Sequence, residues 1–272
     1  MKKILVPVDF SEASRNASVY AIEFAKAFNA EIVLLHALFI PNPVGDFPGY
    51  IPLSLTDMLQ DNEALLQGEI ESLSKNTDLR IDGYVRMGTA TVIINDMVDE
   101  IKPDIIIMGM KGAGKTGGIF GSTVTSCTRK APLPVLVIPE NEKYSPVKSI
   151  CFASDFGKWP SLSSYKTLAQ IVNQSKAMLN IVHVAKDNEH MGAEKISGKI
   201  KADLLFDKID HRFHTVVNAD VAKGLHDFVS ENPIDMLVMV AHQHNLFERL
   251  FGTVHTKDMT YQANKPLLVL HD

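Results

Sequence analysis

The order of residues predicts an α/β protein of two successive units, each a parallel five-stranded sheet with helices on both faces. Three observations predict it. Short apolar runs alternate with amphipathic helical patterns, as in a parallel sheet covered on both sides. The same series of runs occurs twice, in the same order. A glycine-rich loop follows a late apolar run of the first series, at the end of a strand where such sheets hold ligands.

In the first series, residues 4–8 form the first strand. Ser11 is placed to cap the helix that follows, with Glu12 in its first turn. Ala17, Tyr20, Ala21, Phe24 and Phe28 share one face at helical spacing. Residues 31–37 are the second strand, 55–73 a second helical stripe and 80–87 the third strand. Ile93, Ile94, Met97, Val98 and Ile101 mark the buried face of a third helix. Residues 104–108 and 135–138 are the fourth and fifth strands, with a helix over 122–130 between them.

The second series repeats the first. Ile4-Leu5-Val6-Pro7-Val8-Asp9-Phe10 recurs as Ile150-Cys151-Phe152-Ala153-Ser154-Asp155-Phe156. Residues 32–37 recur as 179–184, 103–108 as 233–240 and 130–138 as 264–270. Gly121-Ser122 recurs as Gly252-Thr253. Chance similarity of composition does not preserve such an order. Pro139, Asn141, Ser145 and Pro146 make a short polar linker, which divides the chain into units 1–140 and 147–272.

The 272 residues are 46% apolar and 22% charged, as in ordinary globular proteins. A net charge of −5 disfavours a nucleic-acid surface. No apolar run reaches membrane-spanning length, and Asp9 ends the first one too early for a signal peptide, so a cytoplasmic location is expected. Cys127 and Cys151 fall in different segments and are expected to be reduced.

The loop from Met108 to Ser122 holds six glycines and two lysines. Glycines after a strand let backbone N–H groups approach an anion, and a helix start adds its dipole. Gly109-x-x-x-x-Gly114-Lys115-Thr116 has the P-loop spacing. That reading needs a helix starting near Lys115, whereas Gly117-Gly118 are poor first-turn residues. Gly121-Ser122-Thr123 is a better helix start, with Ser122 as the cap. A flexible turn without ligand is the plain alternative. For Asp9, the plain alternative is a helix-cap role.

Val6-Pro7-Val8-Asp9-Phe10-Ser11, Leu35-His36-Ala37, Met108-Gly109-x-x-Gly112 and Gly121-Ser122 before Pro134-Val135-Leu136-Val137 together resemble the universal stress protein family, in two tandem copies. The resemblance implies a Rossmann-like sheet of order 3-2-1-4-5, similar to the adenine nucleotide alpha hydrolase fold. It implies ATP, with or without magnesium, in the first unit. Asp9 then meets the ribose region, and Pro7 and Ala37 line the adenine pocket. Met108 and Gly109 bound base and ribose, and Gly112, Gly121, Ser122 and Thr123 hold phosphates. Eight residues separate Gly112 from Gly121, one fewer than the family's usual spacing. Lys115 fits no family role but reaches a phosphate as a point charge.

Aligned in sequence, the second unit replaces Gly109 by Ala241 and Gly112 by His244, with a bulky loop over 245–251. It is expected to bind nucleotide weakly or not at all. His242, His244, His255, His211 and His214 read as solvated loop histidines rather than metal ligands. Met97, Met108, Met236 and Met239 read as core filling, and Arg249 as a surface or interface residue. The fifth strand is an open edge unless paired, which predicts an internal pseudo-dimer of the two units, with a dimer of chains as a further step. The resemblance implies an adenine-nucleotide-binding regulatory protein of the stress response. A ligand-free interaction module and a slow ATPase are the alternatives. Since Asp9 has no second acid beside it, no enzyme is expected.

Overall fold

The computed structural model describes residues 1–39, 55–111, 120–156, 161–186, 192–241 and 264–271. The strands of the first half are β1 (Lys3–Val8), β2 (Glu31–Leu38), β3 (Ile81–Met87), β4 (Ile105–Gly109) and β5 (Val135–Ile138). Those of the second are β6 (Ser149–Ala153), β7 (Met178–Ala185), β8 (His211–Val217), β9 (Met236–Val240) and β10 (Leu267–Leu270). The helices are α1 (Glu12–Lys26), α2 (Leu55–Ser74), α3 (Ala90–Ile101), α4 (Ser122–Lys130), α5 (Leu162–Ser175), α6 (Ala193–Leu205) and α7 (Val221–Glu231).

All described strands belong to one sheet, ordered β3-β2-β1-β4-β5-β10-β9-β6-β7-β8. Each half is parallel throughout and has the order 3-2-1-4-5. The halves meet at the one antiparallel pairing, Leu267 opposite Val137 and Val269 opposite Val135. Every residue of β4, β5, β9 and β10 is buried, as strands covered on both faces require.

Side-chain alternation along the strands builds two apolar layers. Ile4, Val6 and Val8 face α1 and α2 on one side, continuous with Phe152, Leu168 and Phe206 of the second half. Leu5, Ile106 and Met108 face α3 and α4 on the other, continuous with Cys151, Leu225 and Phe228. Met97, Met108, Met236 and Met239 are all buried in these layers. Cys127 and Cys151 are free, buried thiols. Burial pushes the Cys127 thiol up to about 11, which keeps it an inert thiol at neutral pH.

The repeat extends to backbone detail. Asp104 accepts from the N–H groups of Lys2 at 2.5 Å and Lys3 at 3.0 Å. Asp235 does the same for Lys148 at 2.7 Å and Ser149 at 2.9 Å. Each aspartate thereby ties the entry of the fourth strand to the start of the first. Phe10 and Phe156, both at φ 61°, occupy the same left-handed position after their strands. Ser11 caps α1 by accepting from Ser14 N–H at 3.2 Å, and Ser161 caps α5 by accepting from Ser164 N–H at 3.3 Å.

Strand pairing corrects the alignment of the two halves. Ile4 pairs with Ile105, and its counterpart Ile150 pairs with Met236. Counting along β4 and β9 sets Gly109 opposite Ile138 and Val240 opposite Leu270. Gly109 therefore corresponds to Val240, and Ala241 corresponds to Met110. The sequence match slipped by one because Pro233 stands one residue farther from its aspartate than Pro103 does.

The register gives Gly109 a structural reason. A Cβ there would lie 2.7 Å from the Ala13 carbonyl oxygen, so glycine is what lets α1 lie against β4. The second half carries a β-branched residue at this place. Correspondingly, Ser161 stands six residues after Asp155, while Ser11 stands two after Asp9. Among the described residues α5 makes no packing against β9 comparable to that of α1 on β4.

His211 and His214 are strand residues of β8 rather than loop residues. His211 Nδ1 lies 2.8 Å from the Ile209 carbonyl, and its Nε2 lies 3.1 Å from Asp203. His214 Nε2 lies 2.9 Å from the Asn180 side-chain oxygen. Periodicity hid this because β8, an edge strand, alternates without apolar residues at these positions. Burial, then the charge of Arg212, lowers the His214 pKa below its ordinary value.

Gly109→Ala is expected to destabilise the chain by about 1–3 kcal/mol, since backbone rather than a pliable side chain blocks the new methyl. An unchanged denaturation midpoint would contradict this packing account. For His214, a lowered folded pKa means that the unfolded chain binds the proton more readily. Its contribution is complete above an unfolded value of about 6.5 and is lost as pH falls below it. Urea titrations at neutral and mildly acidic pH should show a smaller acid loss in His214→Gln than in the unaltered chain.

Candidate functional site

A cleft of about 160 Å³ opens at the carboxyl ends of β1 and β4. These strands are neighbours, and the strand order reverses between them. Open parallel sheets bind ligands at this point. The cleft is lined by residues that follow or end β1, β2 and β4, and by the starts of α1, α3 and α4.

From β1 come Pro7, Val8 and Asp9. Asp9 is exposed, and its Oδ1 accepts from the Ser11 hydroxyl at 2.6 Å and the Ser11 N–H at 3.1 Å. Its own N–H donates to Ser14 Oγ at 3.2 Å. The N-cap of α1 is Ser11, and Asp9 orients that cap rather than serving as it. Behind it Phe10 lies on the ring of His36 with centroids 4.5 Å apart, and His36 Nδ1 is 2.8 Å from the Val8 carbonyl. The turn that presents Asp9 is thus held from both sides.

Leu35 and Ala37 of β2 supply one wall, and Ala90 and Ile94 of α3 a second. Gly88 shapes the entry to α3: its φ is 145° and its N–H donates to the Leu38 carbonyl at 3.0 Å. Sequence reading missed this wall. The available signal was Gly88 at the end of the third strand, just before the helical stripe.

The far end is built by β4 and α4. Met110 N–H donates to the Ile138 carbonyl at 2.8 Å, and the Met110 carbonyl accepts from Gly121 N–H at 3.1 Å. This clamp brings Met108, Gly109 and Lys111 beside Gly121, Ser122 and Thr123 in one lining. Gly121, rather than Ser122, is the N-cap of α4, and no side-chain bond caps the helix. Ser122 was expected as the cap because its hydroxyl suits that role. The clamp on Gly121 shifts the helix start by one and leaves Ser122 and Thr123 in the first turn. The first turn of α4 has no acidic residue, so its positive pole faces the cleft.

Pro7, Asp9, Ala37, Met108, Gly109, Gly121, Ser122 and Thr123 therefore all line one cleft. Gly112 and Lys115 lie outside the described residues, as do His242, His244, Arg249, Gly252, Thr253 and His255. Among the described residues no cluster of metal-ligating side chains is present. No helix among them is long and apolar enough to cross a membrane.

Around the corresponding aspartate of the second half the described contacts differ. Asp155 is exposed, as Asp9 is. However, α6 crosses directly on the next residue: a Cβ at Gly198 would lie 1.9 Å from the Phe156 carbonyl oxygen. Ser164, the counterpart of Ser14, donates instead to the His271 carbonyl at 2.8 Å, which also accepts from Ser161 N–H at 3.0 Å.

Comparison with known proteins agrees with this architecture. The family model described as the universal stress protein family matches residues 1–139 and again 148–271. A universal stress protein of Synechocystis is 25% identical over 98% of this chain and 99% of its own length. Universal stress protein G of Salmonella typhimurium is 30% identical, over 50% of this chain and 98% of its own. A solved universal stress protein from Archaeoglobus fulgidus superposes with a TM-score of 0.70 at 19% identity, covering 99% of this chain and 98% of that one. The chain belongs to the universal stress protein family, whose model it matches twice in tandem.

Proposed function

We propose that the N-terminal half binds an adenine nucleotide, ATP foremost, and that the chain is a nucleotide-responsive regulatory protein of the cytoplasmic stress response rather than an enzyme. The observation that carries this reading is a single cleft lined by both an exposed carboxylate and an uncapped helix start. A carboxylate accepts hydroxyl protons from a ribose. Backbone N–H groups and the hydroxyls of Ser122 and Thr123 donate to phosphate oxygens. Pro7, Leu35, Ala37 and Met108 offer apolar surface to a base.

Among the described residues Asp9 is the cleft's one carboxylate, and it is already engaged with Ser11. Magnesium would therefore arrive on the nucleotide's phosphates, without a protein cage. Phosphoryl transfer needs a positioned base and metal-holding groups. A single aspartate, already bonded to the helix cap, supports binding over turnover. In the second half, the packing of α6 on Phe156 and the bonds of Ser161 and Ser164 to the His271 carbonyl support a structural role. The β5–β10 pairing supports a reading in which the two halves form an internal dimer within one chain.

Calorimetric titration of nucleotide-free protein with magnesium-ATP should saturate at one site per chain. Asp9→Asn should weaken it by about tenfold, the scale of one charge-assisted hydrogen bond, with no such effect from Asp155→Asn. Two sites would overturn the silent second half. Absence of both heat and a melting-temperature shift would favour the ligand-free module. Phosphate release that scales with protein and is lost in Asp9→Asn would make the chain an enzyme.

A further inference from the structure

We infer that Lys111 makes the cleft selective for nucleotides by their phosphate charge, favouring the triphosphate over the monophosphate; the inference rests on the nucleotide reading above. Among the described residues that line the cleft, two are charged, Asp9 and Lys111. They leave neighbouring strands, β1 and β4, whose register sets Ile4 opposite Ile105 and Leu5 opposite Ile106. Asp9 follows β1, while Lys111 follows the clamp in which Met110 bonds Ile138 on one side and Gly121 on the other. The clamp places the lysine backbone beside the first turn of α4.

Two contributions to anion binding are therefore separable. The α4 start and the hydroxyls of Ser122 and Thr123 are fixed donors at short range, enough for one phosphate. Lys111 is exposed and carries its charge on a flexible stem, so it acts as a point charge instead of a shaped cradle. Its attraction grows with every negative charge that extends past the first phosphate. No acidic residue in the first turn of α4 offsets it.

The test compares adenosine, AMP and magnesium-free ATP on the full chain, with Lys111→Gln and Lys111→Arg. Lys111→Gln should weaken ATP about five- to tenfold and AMP less than about twofold, leaving adenosine unchanged, as expected for one partly screened charge. Lys111→Arg should keep the preference. Raising salt from about 50 to about 500 mM should shrink the ATP-to-AMP ratio of the unaltered chain more than that of Lys111→Gln. The substitution is at an exposed residue, and equal melting temperatures will confirm intact folding. An unchanged ATP-to-AMP ratio in Lys111→Gln, with binding intact, would overturn the inference alone. Failure of the unaltered chain to bind any of the three would overturn the nucleotide reading and this inference with it.

Discussion

The reversal of strand order between β1 and β4 is the constraint on which the site depends. From β1 the chain moves outward through β2 and β3; from β4 it moves the other way to β5. Right-handed crossovers then send α1 and α4 to opposite faces of the sheet. Because the connections from β1 and β4 leave in opposite directions, a crevice between the two strand ends is a product of topology before any side chain is chosen. Residues set only its contents. Gly109 lets α1 close down on β4 from one side, and the Met110–Gly121 clamp fixes the start of α4 on the other.

A second constraint is the edge of each half. Strands β5 and β10 have four residues each and would be open edges if the halves were not paired. Pairing them antiparallel satisfies both sets of backbone groups and joins the apolar layers across the junction. Polar contacts follow the same seam. Asn16 donates to the carbonyls of Pro139 and Glu142, at 3.1 and 2.9 Å, and His271 Nε2 lies 3.1 Å from the Thr128 carbonyl. That last contact joins the end of β10 to the helix whose start borders the cleft.

Much of this was legible in the chain because its signals are local. Buried runs such as Ile105-Ile106-Ile107, caps such as Ser11 and the stripe of α3 depend on neighbours within a few residues. Asp9 and Gly109 were legible as partners because strand order brings the ends of β1 and β4 together. What escaped reading depends on distant packing. The demand for glycine at 109 comes from the Ala13 carbonyl, nearly a hundred residues away in sequence, rather than from a ligand alone. The cap of α4 moved because Gly121 is tied to Met110. The one-residue slip between halves could be corrected only by strand pairing, since both alignments keep the apolar run intact.

Duplication copied the strand order but not the packing at the strand ends. In a parallel sheet, a Cβ at the position of Gly109 forbids the close approach that α1 makes. Val240 therefore implies a displaced α5, and the longer connection from Asp155 supplies the slack. Once α5 stands away from β9, its first turn needs another partner. His271 supplies one with the carbonyl that follows β10. The same substitution thus goes with a new use for the residue that follows β10. The exposed carboxylate of Asp155 persists while the packing around it differs from that around Asp9. Shape at the strand ends is set by whether backbone meets backbone at a single position.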